Sequence, residues 1–259
     1  MLSAYLGGLQ TVRRAVRSAL VVVGIAAFAT AGSVATGFAG VTTPTDVASI
    51  QPSPGQKVGV AMPVTVTFAQ SIANRAAAEH TITFTSPATP AGSFTWLNDR
   101  VVQWNPKGYW PAHSNIIVTA GGAKTTFETG AATMGVADID AHTFTVSMDG
   151  QVVRQMPASM GKPKHPTPIG SFAALQKQAS VIMDSRTIGI PLSDPEGYRL
   201  TVADAVRVTW GGVYVHSAPW SVASQGNANV SHGCINLSPD NAAWYYDTVS
   251  IGDPIIVQA

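Results

Sequence analysis

Apolar and polar residues alternate with period two along much of this chain, in runs too short for helices. Val64-Thr65-Val66-Thr67-Phe68 alternates in this way, and so does Thr81-Ile82-Thr83-Phe84-Thr85. Such alternation marks strands that bury one face. Phe94-Thr95-Trp96-Leu97 and Val101-Val102-Gln103-Trp104 flank Asn98-Asp99-Arg100, which reads as a hairpin connection. Ile116-Ile117-Val118 and Thr125-Thr126-Phe127 supply two more strands. Short strands punctuated by Pro, Gly and Asn from about residue 47 to 129 predict a sandwich of immunoglobulin type. No catalytic constellation stands in it. His80 and His113 are isolated, so this unit reads as a spacer or docking module.

The small-residue stretch 130–135 reads as a linker. Beyond it, Phe144-Thr145-Val146-Ser147-Met148 runs into Asp149-Gly150 and then Gln151-Val152-Val153-Arg154-Gln155. Asp-Gly between alternating runs predicts a hairpin, because both turn positions need positive φ. Arg207-Val208-Thr209-Trp210 and Gly212-Val213-Tyr214-Val215 are further strand candidates. Ser238-Pro239-Asp240 opens the one helix this unit predicts, with Ser at the cap and Pro at the first helical position. It should stop near Asp247, and the last strand should run from Pro254 to Val257.

The first 40 residues break the pattern. Arg13, Arg14 and Arg17 precede an apolar, charge-free stretch from Ala19 to about Ala39. This is the pattern of a secretory signal or an uncleaved membrane anchor. Ala29-Thr30-Ala31 and Ala39-Gly40 offer cleavage sites, and no cysteine follows for a lipid anchor. Hydrophobic residues make up 46% of the chain and charged residues only 11%. That balance excludes bulk disorder. The formal net charge of +1 gives no basic excess for nucleic acid. Without the leader, 12 basic residues face 14 acidic ones. An exported protein usually pairs its cysteines. Cys234, the only one, cannot pair within the chain, which marks it for chemistry.

The chemistry gathers in Val213-Tyr214-Val215-His216-Ser217-Ala218-Pro219-Trp220 and Ser231-His232-Gly233-Cys234-Ile235-Asn236. A cysteine nucleophile attacks as thiolate and needs a base nearby. His216 and His232 are the candidates. His232 stands two residues before Cys234, so an extended chain would put both on one face. Gly233 would let the backbone aim N–H groups at a developing oxyanion. Fast alkylation at neutral pH would mark a low-pKa nucleophile. Two other readings use the same residues: Cys234 as a small buried hydrophobe, and a zinc site with Cys234, His216 and His232 as ligands.

His216, a gap of fourteen residues and then Ser231-His232-Gly233-Cys234-Ile235-Asn236 resemble the signature of the L,D-transpeptidase (YkuD) catalytic domain. The likeness covers about Ala137 to Ala259, and the sandwich before it resembles the immunoglobulin-like domain of mycobacterial members. It implies a mainly β chain of three parts. These are a signal peptide or anchor over 1–40, an immunoglobulin-like domain over 41–130 and a β-rich catalytic domain with few helices over 131–259. The resemblance makes Cys234 the nucleophile, His216 its base and Ser217 the residue that orients the imidazole through its carbonyl. His232 and Gly233 flank the nucleophile, with the N–H groups of Gly233 and Cys234 in the oxyanion hole. Tyr198, Met183, on a flap, and Trp220 would line the substrate groove with Ser231 and Asn236, and Asn236 would also hold the loop. The implied reaction is 3→3 cross-linking of peptidoglycan tetrapeptide stems with release of D-Ala, needing no metal or organic cofactor. Carbapenems would acylate Cys234. An L,D-carboxypeptidase and a non-catalytic wall-binding protein are the alternatives. The implied location is the periplasm or cell wall, with any membrane attachment through the N-terminal segment alone. Longer mycobacterial members carry a further C-terminal tail, whereas this sequence ends soon after its last expected strand.

Overall fold

A computed structural model describes residues 46–259; the expected leader over 1–40 lies outside the described residues. No helix among the described residues is long and apolar enough to cross a membrane. The first part of the chain gives eight strands and one short helix. In order they are β1 (Val47–Gln51), β2 (Lys57–Val58), β3 (Val64–Phe68), α1 (Arg75–His80), β4 (Thr83–Thr85), β5 (Gly92–Trp96), β6 (Val101–Pro106), β7 (Asn115–Ala120) and β8 (Ala123–Thr129). They form two four-stranded sheets, ordered β1-β3-β6-β5 and β2-β8-β7-β4. Alternate residues of β3, Val64, Val66 and Phe68, are buried between them, as the period-two pattern requires. Trp104, Trp110, Phe84 and Phe127 fill this core as a chain of ring contacts. The Trp110 indole N–H donates to the carbonyl of Met62 at 2.9 Å, so its polar atom is satisfied.

The rest of the chain gives β9 (Thr133–Asp138), β10 (Thr143–Met148), β11 (Gln151–Pro157), β12 (Gly170–Ala173), β13 (Gln176–Asp184), β14 (Arg199–Arg207), β15 (Tyr214–Ser217), β16 (Ile235–Leu237), α2 (Pro239–Thr248) and β17 (Pro254–Gln258). One sheet runs β11-β10-β9-β17-β12 and the other β13-β14-β15-β16. The last strand β17 lies between β9, parallel to it, and β12, antiparallel. The turn between β10 and β11 is at Asp149-Gly150, both with positive φ, as the sequence predicts. Helix α2 starts at the predicted cap, where the Ser238 side chain accepts from the Asn241 N–H. It covers the core that includes Phe144, Val146, Val215, Ile235, Leu237 and Ile255. Tyr245 meets Phe144 edge to face, 4.8 Å between centroids.

Four expectations fail here. Residues 130–135 are not simply a linker, because β9 begins at Thr133 and runs through the middle of the five-stranded sheet. Gly135 carries no side chain in this strand because the Phe144 ring lies over it, where a Cβ would stand 2.6 Å from Phe144 Cζ. Thr81-Ile82 does not open a strand, since α1 precedes it, capped by the Asn74 side chain accepting from the Ala77 N–H at 3.1 Å. Residues 208–210 are not a strand either: β14 ends at Arg207, and a turn follows in which the Gly212 N–H donates to Thr209 O. His113 is not isolated, for its Nε2 lies 2.9 Å from Asp149 Oδ2 on the β10–β11 turn.

Candidate active site

β15 and β16 pair in parallel, with Val215 opposite Ile235 and His216 opposite Asn236. Strand pairing thus brings together residues fourteen or more apart in sequence. His216 is only 3% exposed. Its Nδ1 lies 2.8 Å from the Ser217 carbonyl oxygen. A carbonyl only accepts, so Nδ1 carries the hydrogen and Nε2 of the neutral ring carries the lone pair. Burial lowers the His216 pKa to about 4, against the Ser217 bond, which favours the charged form. The imidazole is therefore neutral at neutral pH, with Nε2 as its basic atom.

Cys234 immediately precedes β16 and is partly buried. Burial pushes its thiol up to about 11, although the Tyr214 backbone N–H works in the other direction. The Sγ–H donates to the Gly212 carbonyl, 3.7 Å away. The thiol is thus protonated at rest, and its proton points at the turn between β14 and β15.

Cys234 and His216 line one cleft of about 450 Å³ together with Met183, Tyr198, Trp220 and His232. Ser231 and Asn236 border the same cleft. Met183 sits in β13, opposite Leu200 of β14, so the flap is the end of a long hairpin. Trp220 is half-exposed, its ring 6.0 Å from the His216 ring. The Tyr198 ring stands 5.0 Å from His232. Burial raises the Tyr198 pKa, helped by the nearby Cys234, so its phenol stays protonated.

The motif loop differs from the extended chain expected. Gly233 has φ +117°, so His232 and Cys234 reach the cleft through a bend. Ser231 Oγ accepts from the Gly233 N–H at 3.0 Å and donates to the Cys234 carbonyl at 2.7 Å. The Ser231 hydroxyl is thereby committed to the loop, and the Gly233 N–H, expected in an oxyanion hole, already has a partner. Asn236 donates from Nδ2 to Ser221 Oγ at 3.2 Å, which ties β16 to the loop after β15. Two residues that the sequence did not single out complete the cradle. Thr167 Oγ1 donates to the Gly233 carbonyl at 3.0 Å and accepts from the Gly161 N–H at 2.8 Å. Ser159 Oγ donates to Ala228 O at 2.7 Å. The carbonyls they donate to, of Gly233 and Ala228, lie 66 and 69 residues away, beyond any motif spacing.

The zinc alternative fails on geometry. Among the described residues, the three ligand-type side chains that converge are His165, Glu196 and His232, within 4.8 Å of one another, and neither Cys234 nor His216 joins them. The Glu196 carboxylate also bonds the Lys162 and Lys164 ammonium groups. Those bonds hold Glu196 down to about 2. Two cations thus stand where a metal ion would have to bind. Burial, then Lys162 and His165, lowers the His232 pKa.

Comparison with known proteins agrees with this geometry. Residues 133–257 match the L,D-transpeptidase catalytic domain, and residues 26–124 match a bacterial Ig domain. The chain is 56% identical to L,D-transpeptidase 1 of Mycobacterium tuberculosis over 95% of its length and 99% of that protein. It is similar to the solved structure of an L,D-transpeptidase from Mycobacterium smegmatis, with 68% identity and TM-score 0.81, covering 84% of this chain and all of that one. It is also similar to the transpeptidase LdtMt1 solved in complex with imipenem, with 59% identity and TM-score 0.78, covering 82% of this chain and 99% of that one.

Proposed function

This chain belongs to the L,D-transpeptidase family, and on that premise we propose that it forms 3→3 peptidoglycan cross-links through an acyl-enzyme on Cys234. The observation that carries the reading is the fixed tautomer of His216. With Nδ1–H held by Ser217 O, Nε2 is the base in the cleft that holds the only thiol of the chain.

The reaction runs in two acyl transfers. The Cys234 proton passes to His216 Nε2 as sulfur attacks the carbonyl carbon of the third stem residue. The tetrahedral oxyanion forms, and backbone amides stabilise it; one such donor is worth about 10²–10³ in rate. The Cys234 N–H serves directly, and the Gly233 N–H serves as Ser231 Oγ yields it. The C–N bond to D-Ala breaks, and the imidazolium gives its proton to the leaving amine. A side-chain amine of the third residue of a second stem then attacks the thioester, losing its proton to Nε2. The C–S bond breaks and the thiol regains the proton. Tyr198, Met183 and Trp220 line the groove for the stems, and His232 lines the wall beside the nucleophile. None of these steps calls on a metal or organic cofactor. Carbapenems present a strained carbonyl to the same sulfur and acylate it.

We assign residues 131–259 to catalysis, 41–130 to an immunoglobulin-like spacer and 1–40 to an export signal or membrane anchor. This places the enzyme outside the cytoplasm, at the wall. The test incubates the purified protein with a disaccharide-tetrapeptide and reads products by mass, with Cys234→Ala beside it. A cross-linked dimer short of one D-Ala, absent from the variant, is the expected result. Tripeptide alone would replace transpeptidation by carboxypeptidation, and no product from folded protein would leave a wall-binding role.

A further inference from the structure

We propose that Lys162 recognises the free α-carboxylate of the amino acid that leaves the donor stem, and so restricts donors to stems ending one residue past the scissile bond. The proposal deepens the function given above and rests on it. In that reaction the leaving residue carries its own carboxylate. Only the bonds C–N, N–Cα and Cα–C separate the attacked carbonyl carbon from the carboxylate carbon, so the two stand within about 4 Å of each other. Every donor therefore brings a negative charge into the cleft of Cys234. Taking a carboxylate out of water without a partner is strongly disfavoured.

Lys162 is the one lysine or arginine that lines this cleft. Its ammonium bonds Oε1 of Glu196, which lines the cleft too. Lys164 bonds Oε2 of the same carboxylate at 2.5 Å, with its side chain 68% exposed against 25% for Lys162. Glu196, held down to about 2, stays ionised. Lys164 thus offsets the charge of Glu196 from the solvent side, and the charge of Lys162 is left for the cleft. An ammonium has three donors. One goes to Glu196, and the other two have no partner among the described residues. The remaining donors of the cleft are spent or uncharged. Asn236 Nδ2 is committed to Ser221 Oγ and Ser231 Oγ to the Cys234 carbonyl, while His216 offers a lone pair that would repel an anion. Tyr198 and Ser224 bring hydroxyls without charge. A charge-assisted hydrogen bond is about twice as strong as a neutral one, so the ammonium is the partner of choice.

Position supports the same role. The Lys162 N–H donates to Ser231 O at 3.0 Å, and Gly161 bridges Ser231 in parallel. Thr167 closes the same loop onto the carbonyl of Gly233, the neighbour of Cys234. Lys162 is thus rooted opposite Ser231, three positions before the nucleophile, on backbone braced at both ends. A stem one residue longer would present an amide there and carry its carboxylate one Cα step, about 3.8 Å, further out. A site built to bond a polar group rejects the analogue that lacks it, because its own donors are then left unpaired.

The test offers the purified protein two donors, a disaccharide-tetrapeptide and the same compound with its terminal carboxylate converted to a primary amide. Release of the terminal residue is read by mass over a range of donor concentrations. The wild type should prefer the free acid at least tenfold in kcat/KM, mainly through KM. Lys162→Gln should lose most of that preference and Lys162→Arg should retain it. Lys164→Gln, which also gives up a bond to Glu196, should leave it unchanged. Thermal melts confirm that the variants fold. A preference that survives in folded Lys162→Gln would overturn the proposal. So would an equal fall in Lys164→Gln, which would mean that both lysines act only by holding Glu196. Equal use of the two donors by the wild type would also sink it and leave the cross-linking reading intact. No release from either donor by folded wild type would strike that reading, and this proposal with it.

Discussion

The proton of the Cys234–His216 pair rests on sulfur, because burial moves both groups toward their neutral forms, the thiol up to about 11 and the imidazole down to about 4. The nucleophile is thus made during attack and is not stored as a thiolate. Alkylation should show this cleanly, since the chain has one cysteine. With iodoacetamide in slight excess, the rate should be low at pH 7 and climb steadily towards pH 10. A rate already at its plateau below pH 7 would mean a standing thiolate and would contradict the neutral pair. On this reading, acylation by a carbapenem is a better signature for this site than fast alkylation at neutral pH. The motif was legible because its two halves flank one parallel strand pair: Cys234 and His216 border one cleft, and the Ser217 carbonyl accepts from His216 Nδ1. The residues that hold them were not. Thr167 and Ser159 reach the motif loop across 66 and 69 positions, and a single threonine or serine carries no signal of that. Ser231, expected in the substrate groove, borders the cleft and also braces the loop through its hydroxyl, a second task that the motif does not announce.

Elements were legible where local chemistry and tertiary packing agree. The Asp149-Gly150 turn and the Ser238 cap are decided by backbone preference, and both stand where the sequence puts them. Elements were lost where packing overrides local preference. The nine-residue strand β13 covers Gln176–Asp184 without clean alternation, because β13 leaves much of both faces partly exposed. The start of β9, Thr133 to Gly135, was read as linker because the stretch 130–135 looks flexible, yet Gly135 is bare to admit the Phe144 ring. Gly135→Ala measures that constraint. Replacing a strand glycine by alanine gains about 0.4–1 kcal/mol through the unfolded chain where the backbone permits it. Overpacking a closed core costs about 1–3 kcal/mol. The added Cβ would stand 2.6 Å from Cζ of a fully buried ring, so the second effect wins. Urea unfolding should show a loss of about 1–2 kcal/mol with unchanged m-value. A stabilised variant would mean that the ring can move aside and that the glycine has another cause.

The two lobes join through backbone as well as side chains, and a buried carboxylate lies at that seam. Gly59 donates to Ile251 O and Ala61 to Gly252 O, both at 2.8 Å. The approach is so close that a Cβ on Gly59 would stand 2.0 Å from the Asp253 nitrogen. Asp253 is 2% exposed; its Oδ2 accepts from the Ser250 N–H at 2.7 Å, while its Oδ1 has no partner among the described residues. Burial raises its pKa to about 7, against the Ser250 bond and Lys177. An acid whose pKa is higher folded than unfolded keeps its proton in the fold while the unfolded chain gives it up. Below about pH 4 both states are protonated and the group costs nothing. Between about pH 4 and 7 the folded state binds more protons, so stability falls as pH rises, and above about pH 7 the loss is complete. A shift of about three units corresponds to about 4 kcal/mol, an order of magnitude only. Asp253→Asn keeps a carbonyl oxygen for Ser250 and removes the charge. The variant should therefore melt several degrees above the wild type at pH 8, with the difference shrinking towards pH 4. Subtracting the two melting curves cancels His216 and His232, whose lowered pKa values act with the opposite sign. A constant difference across pH would show that Asp253 is ionised in the fold, and the unpartnered oxygen would then need a cation or water to explain it.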